Sequence, residues 1–473
     1  MMHPVRLFPS RTLAVCAGFA AALVLVPIIP VHGQRATLAT MVRDTVLANG
    51  LQVIVVRNPT VPLATVEVVV RTGAFSQLTP QDEGVPHLLE HMLFKSGDGT
   101  LAGGFDEAAY KAEVISNNGF TYPEAVAYYV TLPSKNLEKG MKLMADLVRS
   151  PTFDKTALAS EQRVVSGELQ RRAAEPQYLL YHQSSAALWG TGWGRKNPGG
   201  NLPAVMTATP DRLKDFFRKY YIPNNAAVVV TGDVAPSEAF RFAVKSFQSW
   251  KAADDPFKDT PIAPMPALTA TKTGVVESDV NDVTFLVRWH GPSVTTDAAG
   301  TYAADVFSEL LNQPLSGLQR RLVDSGLFQS VSVSYETQKN VGPIDLHART
   351  TPEKLEAAGL ALKNEIRQFG APGYFTDDDV LIAKKRQQVL AAFEFETATA
   401  LAHPVATSWS VAGLDYYMGY VDNVRAQTPD DVKRFIQTYL TGKPMTVTVL
   451  LSPTVRRANR PVLDNLLAKW SVE

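Results

Sequence analysis

The sequence predicts an α+β fold of two tandem homologous domains, each a mainly antiparallel sheet packed with helices. Three observations predict it: a segment recurs at half the chain length, strand and helix patterns are mixed without regular βαβ crossovers, and a proline-rich stretch separates the halves. Of 473 residues, 45% are hydrophobic and 19% are charged, as in ordinary folded domains. The formal net charge is zero, which argues against nucleic acid or an anionic membrane surface as partner.

The repeat is clearest at two helix starts. Thr209-Pro-Asp-Arg-Leu-Lys-Asp-Phe-Phe-Arg-Lys-Tyr220 resembles Thr428-Pro-Asp-Asp-Val-Lys-Arg-Phe-Ile-Gln-Thr-Tyr439 at one offset (428 − 209 = 219). In both segments Thr is a helix N-cap, Pro takes the first helical position and Asp lies in the first turn. Thr-Pro-Asp alone is a common helix start, but the shared Lys, Phe and Tyr and the Val-rich strand that follows favour a duplication.

These patterns divide the chain into four parts. Residues 1–33 form a signal peptide, 40–250 a first domain, 251–268 a linker with four prolines, and 269–473 a second, homologous domain.

The N-terminus has the order of a targeting signal. Arg6 and Arg11 precede an apolar stretch over residues 12–31, and Gly33 precedes a cleavage site at Gln34. We therefore expect an exported, periplasmic protein without a membrane segment after cleavage. The alternative is a retained anchor, because the apolar stretch is nearly long enough to span a bilayer.

The only cysteine, Cys16, lies inside that signal. The mature chain can therefore form no disulfide and has no thiolate ligand, so any metal must be held by His, Asp or Glu.

The first domain opens with strand patterns. Val53–Val56 follows an Asn49-Gly50 turn, and Val66, Val68 and Val70 lie on alternate positions. Helical patterns follow around residues 105–115, 134–149, 154–173 and 209–220.

The segment His87-Leu-Leu-Glu-His91 carries the chemistry. Pro86 stands where a helix begins and Gly97 where it could end. At 100° per residue, the two histidines and Glu90 fall in one arc, and the leucines fall opposite. Histidines at i and i+4 can bind one zinc, and a carboxylate beside them can take a proton from water; this order is the inverzincin motif.

A catalytic zinc needs a third protein ligand. In the predicted helix Asp154–Arg172, Glu161 and Glu168 are seven residues apart and share a face. From the residues alone, they could be metal ligands or a solvated face paired with nearby arginines.

The motif resembles that of the pitrilysin-type metallopeptidases, the family of insulin-degrading enzyme and the mitochondrial processing peptidase. In that family a Glu follows the second His by about 77 residues and another Glu precedes it by seven; here 168 − 91 = 77 and 168 − 161 = 7. The resemblance implies one Zn²⁺ per chain held by His87, His91 and Glu168 in the first domain. It makes Glu90 the catalytic base and Glu161 the carboxylate that orients the site.

Asn118-Gly-Phe-Thr121 is similar to the family's Asn-Ala-x-Thr. The similarity implies that Asn118, Phe120 and Thr121 contact a peptide or unfolded polypeptide substrate, which adds to an edge strand. Residues 115–117 depart from the family pattern, in which a Gly pair is usual.

The second domain of catalytic members supplies an Arg and a Tyr to the substrate carbonyl. Here Val323 and Gln329 stand at those positions, and the neighbouring Arg320 or Arg321 could substitute. Without these groups the oxyanion loses stabilisation. The resemblance to bacterial subunit-type members implies a heterodimer, in which a homologous partner supplies Arg and Tyr and the second domain encloses substrate or contacts that partner.

Two functions are therefore compared. One is a zinc endopeptidase acting on peptides or unfolded polypeptides outside the cytoplasm; the other is a non-catalytic peptide-binding or assembly subunit. The complete zinc motif favours the enzyme. Four other histidines are isolated in the sequence and are interpreted as surface or core residues: His182, His290, His347 and His403.

Overall fold

A computed structural model describes residues 38, 40–95, 104–259 and 261–471. The predicted signal peptide and Gly97, the predicted helix end, lie outside these described residues. Within them, no helix is both long enough and apolar enough to cross a membrane.

The first half contains one six-stranded sheet, packed among the described residues with α-helices and short 3-10 helices. Its strands are β1 (Val42–Val46), β2 (Gln52–Arg57), β3 (Leu63–Val70), β4 (Ser116–Thr121), β5 (Val126–Pro133) and β6 (Ala226–Gly232). Its helices are α1 (Val85–Phe94), α2 (Gly104–Lys111), α3 (Leu137–Arg149), α4 (Lys155–Ala173), α5 (Pro176–Trp189), α6 (Leu202–Thr207), α7 (Pro210–Tyr220) and α8 (Pro236–Phe247).

The second half contains a five-stranded sheet. Its strands are β7 (Lys272–Glu277), β8 (Val283–His290), β9 (Ser330–Tyr335), β10 (Pro343–Thr350) and β11 (Thr446–Leu451). Its longer helices are α9 (Ala298–Asn312), α10 (Leu355–Arg367), α11 (Asp377–Phe393), α12 (Ala398–Val411), α13 (Leu414–Ala426), α14 (Pro429–Tyr439) and α15 (Pro453–Ser471).

The second sheet repeats the topology of strands β2 to β6 of the first, which has β1 as an additional edge strand. The first has the order β1-β2-β6-β3-β5-β4 and the second β7-β11-β8-β10-β9. In each, a single parallel pair (β2 with β6, β7 with β11) adjoins a run of antiparallel pairs. The match confirms the predicted α+β fold of two homologous domains. The exact bounds of the domains and of the linker remain predictions.

The predicted first-half strands and helices lie where the patterns indicated, with one difference at a helix end. The pattern at 105–115 gives a helix that ends at Lys111. Glu113 then has a φ of 59°, a left-handed conformation that an α-helix cannot continue through. The chain turns there and enters β4, the strand predicted to bind substrate.

Each sheet is covered on one face by helices of its own half. Val66, Val68 and Val130 of the first sheet are fully buried against Leu89 of α1 and Met144 of α3. Burying such side chains contributes about 1.5–3 kcal/mol each, so this face anchors α1 and the residues it carries.

The opposite face of each sheet is covered by a helix from the other half of the chain. Leu401 and Val405 of α12, from the second half, pack on Ile54 and Val229 of the first sheet. Reciprocally, Leu180 of α5 packs in the second sheet's cluster. Each half therefore completes the hydrophobic core of the other.

Candidate metal centre

Helix α1 positions the predicted motif. Gly84 precedes it with a φ of 96°, and Pro86 takes an early position where no N–H is needed. A Cβ on residue 84 would lie 2.6 Å from Val205 Cγ2, so both the backbone and the close contact require glycine. Leu88 and Leu89 are fully buried, which turns the polar side of the helix toward a cleft.

The predicted ligands come together in that cleft. His87 Nε2 lies 3.6 Å, and His91 Nε2 3.7 Å, from Glu168 Oε2. One ligand atom from each of the three residues lies within 4.8 Å of the others. In the described part of the chain, these three residues form the one such group of His, Cys, Asp or Glu.

The arrangement fits a tetrahedral zinc site. Two ligand atoms each about 2.0–2.1 Å from a tetrahedral zinc would lie roughly 3.3–3.4 Å apart, close to the observed separations. Burial, reinforced by the nearby His91, lowers the pKa of His87 to about 4. The imidazole is therefore neutral at neutral pH, which is the form that binds a metal.

A second carboxylate orients His91. Glu161 Oε2 lies 3.2 Å from His91 Nδ1, the nitrogen that points away from Glu168. Such a contact fixes the histidine tautomer and raises its basicity as a ligand. Glu161 Oε1 lies 3.6 Å from Lys95 Nζ. The buried Nδ1 of His87, by contrast, has no hydrogen-bond partner within the described residues.

Glu168 is shared between the histidines and a cation. Its Oε2 faces the two imidazoles, and its Oε1 forms an ion pair with Arg172, one helical turn later. Arg172 holds one oxygen and leaves the other directed at the ligand nitrogens.

Glu90 lies beside this group and is held by the edge strand. Thr121 Oγ1 donates a hydrogen bond of 2.6 Å to Glu90 Oε2. Burial raises the pKa of Glu90, and the hydrogen bond from Thr121 opposes that shift. A Cβ on Gly119 would lie 2.9 Å from Glu90 Oε1, so glycine leaves this oxygen uncovered.

Strand β4 forms the wall of the cleft. Among the described strands it pairs with β5 alone, so its outer edge is open. Phe120 lines the same cleft as Glu90, and its ring centroid lies 5.9 Å from that of Tyr129 and 5.4 Å from that of His403 of α12. Asn118 is exposed at the strand's open edge.

All predicted site residues line one cleft of about 640 Å³. They are His87, Glu90, His91, Asn118, Phe120, Thr121, Glu161 and Glu168.

Sequence reasoning missed the roles of Lys95 and His403. Lys95 lies four residues after His91, a spacing that could have indicated it. His403 Nδ1 forms a hydrogen bond of 2.7 Å with the buried Glu67. His403 lies 283 residues after Phe120 in the sequence (403 − 120), so no local pattern could indicate that the two residues meet. Each of the other isolated histidines likewise contacts protein groups outside the metal cluster: His182, His290 and His347.

Three of the second-half positions discussed above, Arg321, Gln329 and Val323, make contacts within the second half. Arg321 donates two hydrogen bonds, of 2.8 and 2.7 Å, to Glu365, and Gln329 donates one of 3.0 Å to Asp282. Val323 packs against the second-half core. Arg321 is therefore held in a structural ion pair.

Comparison with family models finds two adjoining matches. Residues 52–196 match the model described as insulinase (peptidase family M16), and residues 207–387 match the peptidase M16 inactive domain. The three predicted ligands, His87, His91 and Glu168, lie in the first match.

Similar proteins carry related descriptions. The zinc protease PqqE of Helicobacter pylori is 28% identical over 296 residues, 62% of this chain and 66% of that protein. An uncharacterized zinc protease of Rickettsia felis is 24% identical over 331 residues, 68% of this chain and 77% of that protein. The chain thus spans slightly less than two thirds of the Helicobacter pylori relative.

Solved structures share the fold. A protease from Helicobacter pylori superposes with a TM-score of 0.76 at 24% identity, covering 87% of this chain and 99% of that one. The periplasmic protease PqqL from Escherichia coli gives 0.74 at 16% identity, over 92% of this chain and 50% of that one. With the two family matches in order along the sequence and the same two-domain fold, the chain belongs to peptidase family M16, the pitrilysin-type family whose motif it carries.

Proposed function

We propose that this chain is a zinc-dependent endopeptidase that hydrolyses peptides or unfolded polypeptides outside the cytoplasm, as the zinc-bearing subunit of a heterodimer. The observation that carries the proposal is the convergence of His87, His91 and Glu168 within 4.8 Å beside the carboxyl of Glu90. The chain has the metal ligands, the base and an open substrate edge in one cleft.

The residues divide the chemistry between them. His87, His91 and Glu168 would hold one zinc ion, which supplies Lewis-acid activation of water and of the substrate carbonyl when bound. Glu90 accepts a proton from the attacking water and gives it to the leaving amine. Thr121 holds one oxygen of Glu90, so the other remains available for this proton transfer.

The open edge of β4 supplies substrate binding. An extended peptide can add to this edge through main-chain hydrogen bonds, a mode that accepts many sequences and requires an unfolded segment. The ring of Phe120 and the exposed Asn118 would contact the side chains of that peptide.

The proposal of a heterodimer rests on two groups, an Arg and a Tyr, that the second half lacks at positions 323 and 329. With Val323 and Gln329 at the expected Arg and Tyr positions and Arg321 paired with Glu365, the chain has no such donors from these positions. Each missing oxyanion donor costs about 2.7–4 kcal/mol of transition-state stabilisation. A homologous partner subunit with Arg and Tyr would restore them.

The zinc site is tested by metal analysis of the purified chain. We expect about one zinc per chain, and a His87→Ala/His91→Ala double variant that remains folded without it. The matched control is His182→Ala, whose ring packs against Trp193 outside the cluster. Full zinc occupancy in the double variant would disprove the site.

The heterodimer is tested with an unfolded polypeptide as substrate. We expect weak hydrolysis by the chain alone and a large gain with the homologous partner, lost when the partner's Arg and Tyr are replaced. Full activity of the isolated chain would contradict the heterodimer and leave the peptidase intact. Zinc binding without hydrolysis under either condition would favour a peptide-binding subunit.

The location is tested by N-terminal sequencing. We propose a periplasmic protein with a mature N-terminus near Gln34, supported by the order of charged, apolar and small residues in 1–33. The related Escherichia coli PqqL is itself described as periplasmic. A full-length form extracted only by detergent would support an anchor instead.

A further inference from the structure

The second half contains a cavity at the place where the first half holds its metal cluster. Helix α9 packs on α11, α14 and β9, just as α1 packs on α4, α7 and β4. Because the two sheets also share their strand order, α9 is the structural counterpart of α1.

The motif spacing recurs on α9 with different side chains. Asp305-Val-Phe-Ser-Glu309 matches His87-Leu-Leu-Glu-His91, and in both segments the middle pair facing the core is fully buried. Leu390 and Glu168 each lie thirteen residues after the first residue of their helices (390 − 377 and 168 − 155). Leucine has no ligand atom, so the counterpart positions cannot hold zinc in the same way.

A cavity of about 270 Å³ opens at this counterpart site. Its described lining contains two carboxyls, several tyrosines and apolar side chains, and no basic residue. The residues that carry the argument are Asp305, Glu394, Leu390, Tyr416, Tyr417 and Tyr420.

Each of the two carboxyls accepts a hydrogen bond from a tyrosine. Tyr420 donates a hydrogen bond of 2.8 Å to Asp305, and Tyr417 donates one of 3.3 Å to Glu394. Within the described residues, no basic side chain forms an ion pair with either carboxyl. Burial raises the pKa of Asp305 and that of Glu394 to about 7 each. Two such carboxyls on one cavity favour a positively charged occupant, because a cation stabilises both of them as carboxylates.

We propose that this cavity binds an organic cation, a protonated amine or guanidinium carried on an apolar stem. Asp305 and Glu394 would take the charge, and the tyrosine rings would add cation–π stabilisation. Leu390 and the other apolar walls would cover the stem. The cation could come from a free small amine or from a Lys or Arg side chain of a peptide.

The test measures binding to the full chain by calorimetry with a matched pair, phenethylamine and 2-phenylethanol, which differ in charge. We expect the amine alone to bind, and Asp305→Asn and Glu394→Gln each to weaken it about tenfold or more, since a charged hydrogen bond contributes about 1.5–3 kcal/mol. Leu390→Trp, which fills the cavity, should abolish binding. The control Asp378→Asn removes an exposed carboxylate from α11, the helix that contains Leu390, and should leave amine binding unchanged.

Thermal unfolding and zinc content establish that each variant is folded. If one of the two carboxyl variants does not fold, the other still tests the proposal. Equal binding of the alcohol, or unchanged amine binding in both carboxyl variants, would overturn the proposal.

A second pair of ligands distinguishes the sources. A capped peptide with one Lys is compared with the same peptide carrying norleucine. Competition of the Lys peptide with phenethylamine would identify a peptide side chain as the ligand, and amine binding without peptide binding would identify a small molecule. Binding of neither would overturn the proposal. The outcome does not depend on peptidase activity.

Discussion

The two halves of the chain keep the same strand order but place different chemistry at corresponding positions. On α1, two histidines and a glutamate face the cleft; on α9, an aspartate, a serine and a glutamate occupy the same spacing. The buried residues between them stay apolar in both, Leu88 and Leu89 in one and Val306 and Phe307 in the other. The comparison teaches that the fold depends on the apolar positions, whereas the polar positions can change without changing it.

The carboxylates in the two halves illustrate the same separation. Glu161 contacts His91 and Lys95, and Glu168 contacts both site histidines and Arg172. Each carboxylate therefore has an oxygen directed at a predicted ligand histidine. In the second half, Glu309 forms an ion pair with Arg386 instead. This pair joins α9 to α11, and within the described residues no ion pair links Glu309 to a histidine.

The largest expected effect is that of the catalytic base. Glu90→Gln should lower kcat by about 10²–10⁴-fold with zinc content unchanged, because the amide cannot take the proton from water. Hydrolysis of a fluorogenic unfolded polypeptide, assayed with the partner, measures it. The control Glu107→Gln changes an exposed glutamate of α2 and should retain activity. Comparable activity in Glu90→Gln would require another base.

The next comparison removes corresponding core residues. Leu89→Ala should cost about 2–5 kcal/mol and Phe307→Ala about 3–5 kcal/mol in the free energy of unfolding, since both side chains are fully buried. Leu89→Ala should also weaken zinc binding, because the residue anchors the ligand helix, whereas Phe307→Ala should not. Denaturant titration and metal analysis of both variants test this. An equal loss of zinc binding in the two variants would show that the second-half core supports the zinc site as much as the first-half core does.

A smaller effect is expected from the carboxylate that orients His91. Glu161→Gln should weaken zinc affinity or activity by about 10–100-fold while the chain remains folded. The control Glu309→Gln breaks the ion pair with Arg386 in the second half and should leave zinc affinity unchanged. Competition with a chelator measures both affinities. A Glu161→Gln variant with normal affinity and activity would remove its orienting role.

The smallest effect compares the two repeated helix starts. Thr209→Ala and Thr428→Ala should each cost about 1 kcal/mol. Thr428 should matter more, because its hydroxyl, which alanine lacks, also donates to Asp431 at 2.6 Å, beside the backbone N–H at 2.9 Å.

These hydrogen bonds from Thr428 lower the pKa of Asp431. The extra stabilisation is therefore present above the ordinary aspartate pKa of about 3.9 and is lost as the pH falls below it. Denaturant titrations at several pH values should show the difference between the two variants narrowing in acid; a constant difference would exclude a role for Asp431.

Several features could be predicted because their signals are local. Helix periodicity places His87, Glu90 and His91 on one face of α1, and spacing places Glu161 and Glu168 on one face of α4. Alternation and turn residues predict β2 and β3, and the repeated Thr-Pro-Asp predicts two helices and a duplication. The sequence contains no signal for the distance between α1 and α4. The family resemblance was therefore needed to predict that these two helices bring their ligands together.

The sequence by itself determined the first-half strands and helices named above, the two repeated helix starts and the His87, Glu90 and His91 motif, since each depends on residues close together along the chain. The family resemblance was needed to identify Glu168 as the third ligand. Only the tertiary structure decided which distant groups meet. It brings His403 of α12 against Phe120, pairs Arg321 with Glu365, and gathers Asp305 and Glu394 around one cavity. The physical reason is that packing of the exchanged helices and sheets depends on surfaces assembled from both halves, which no local pattern specifies.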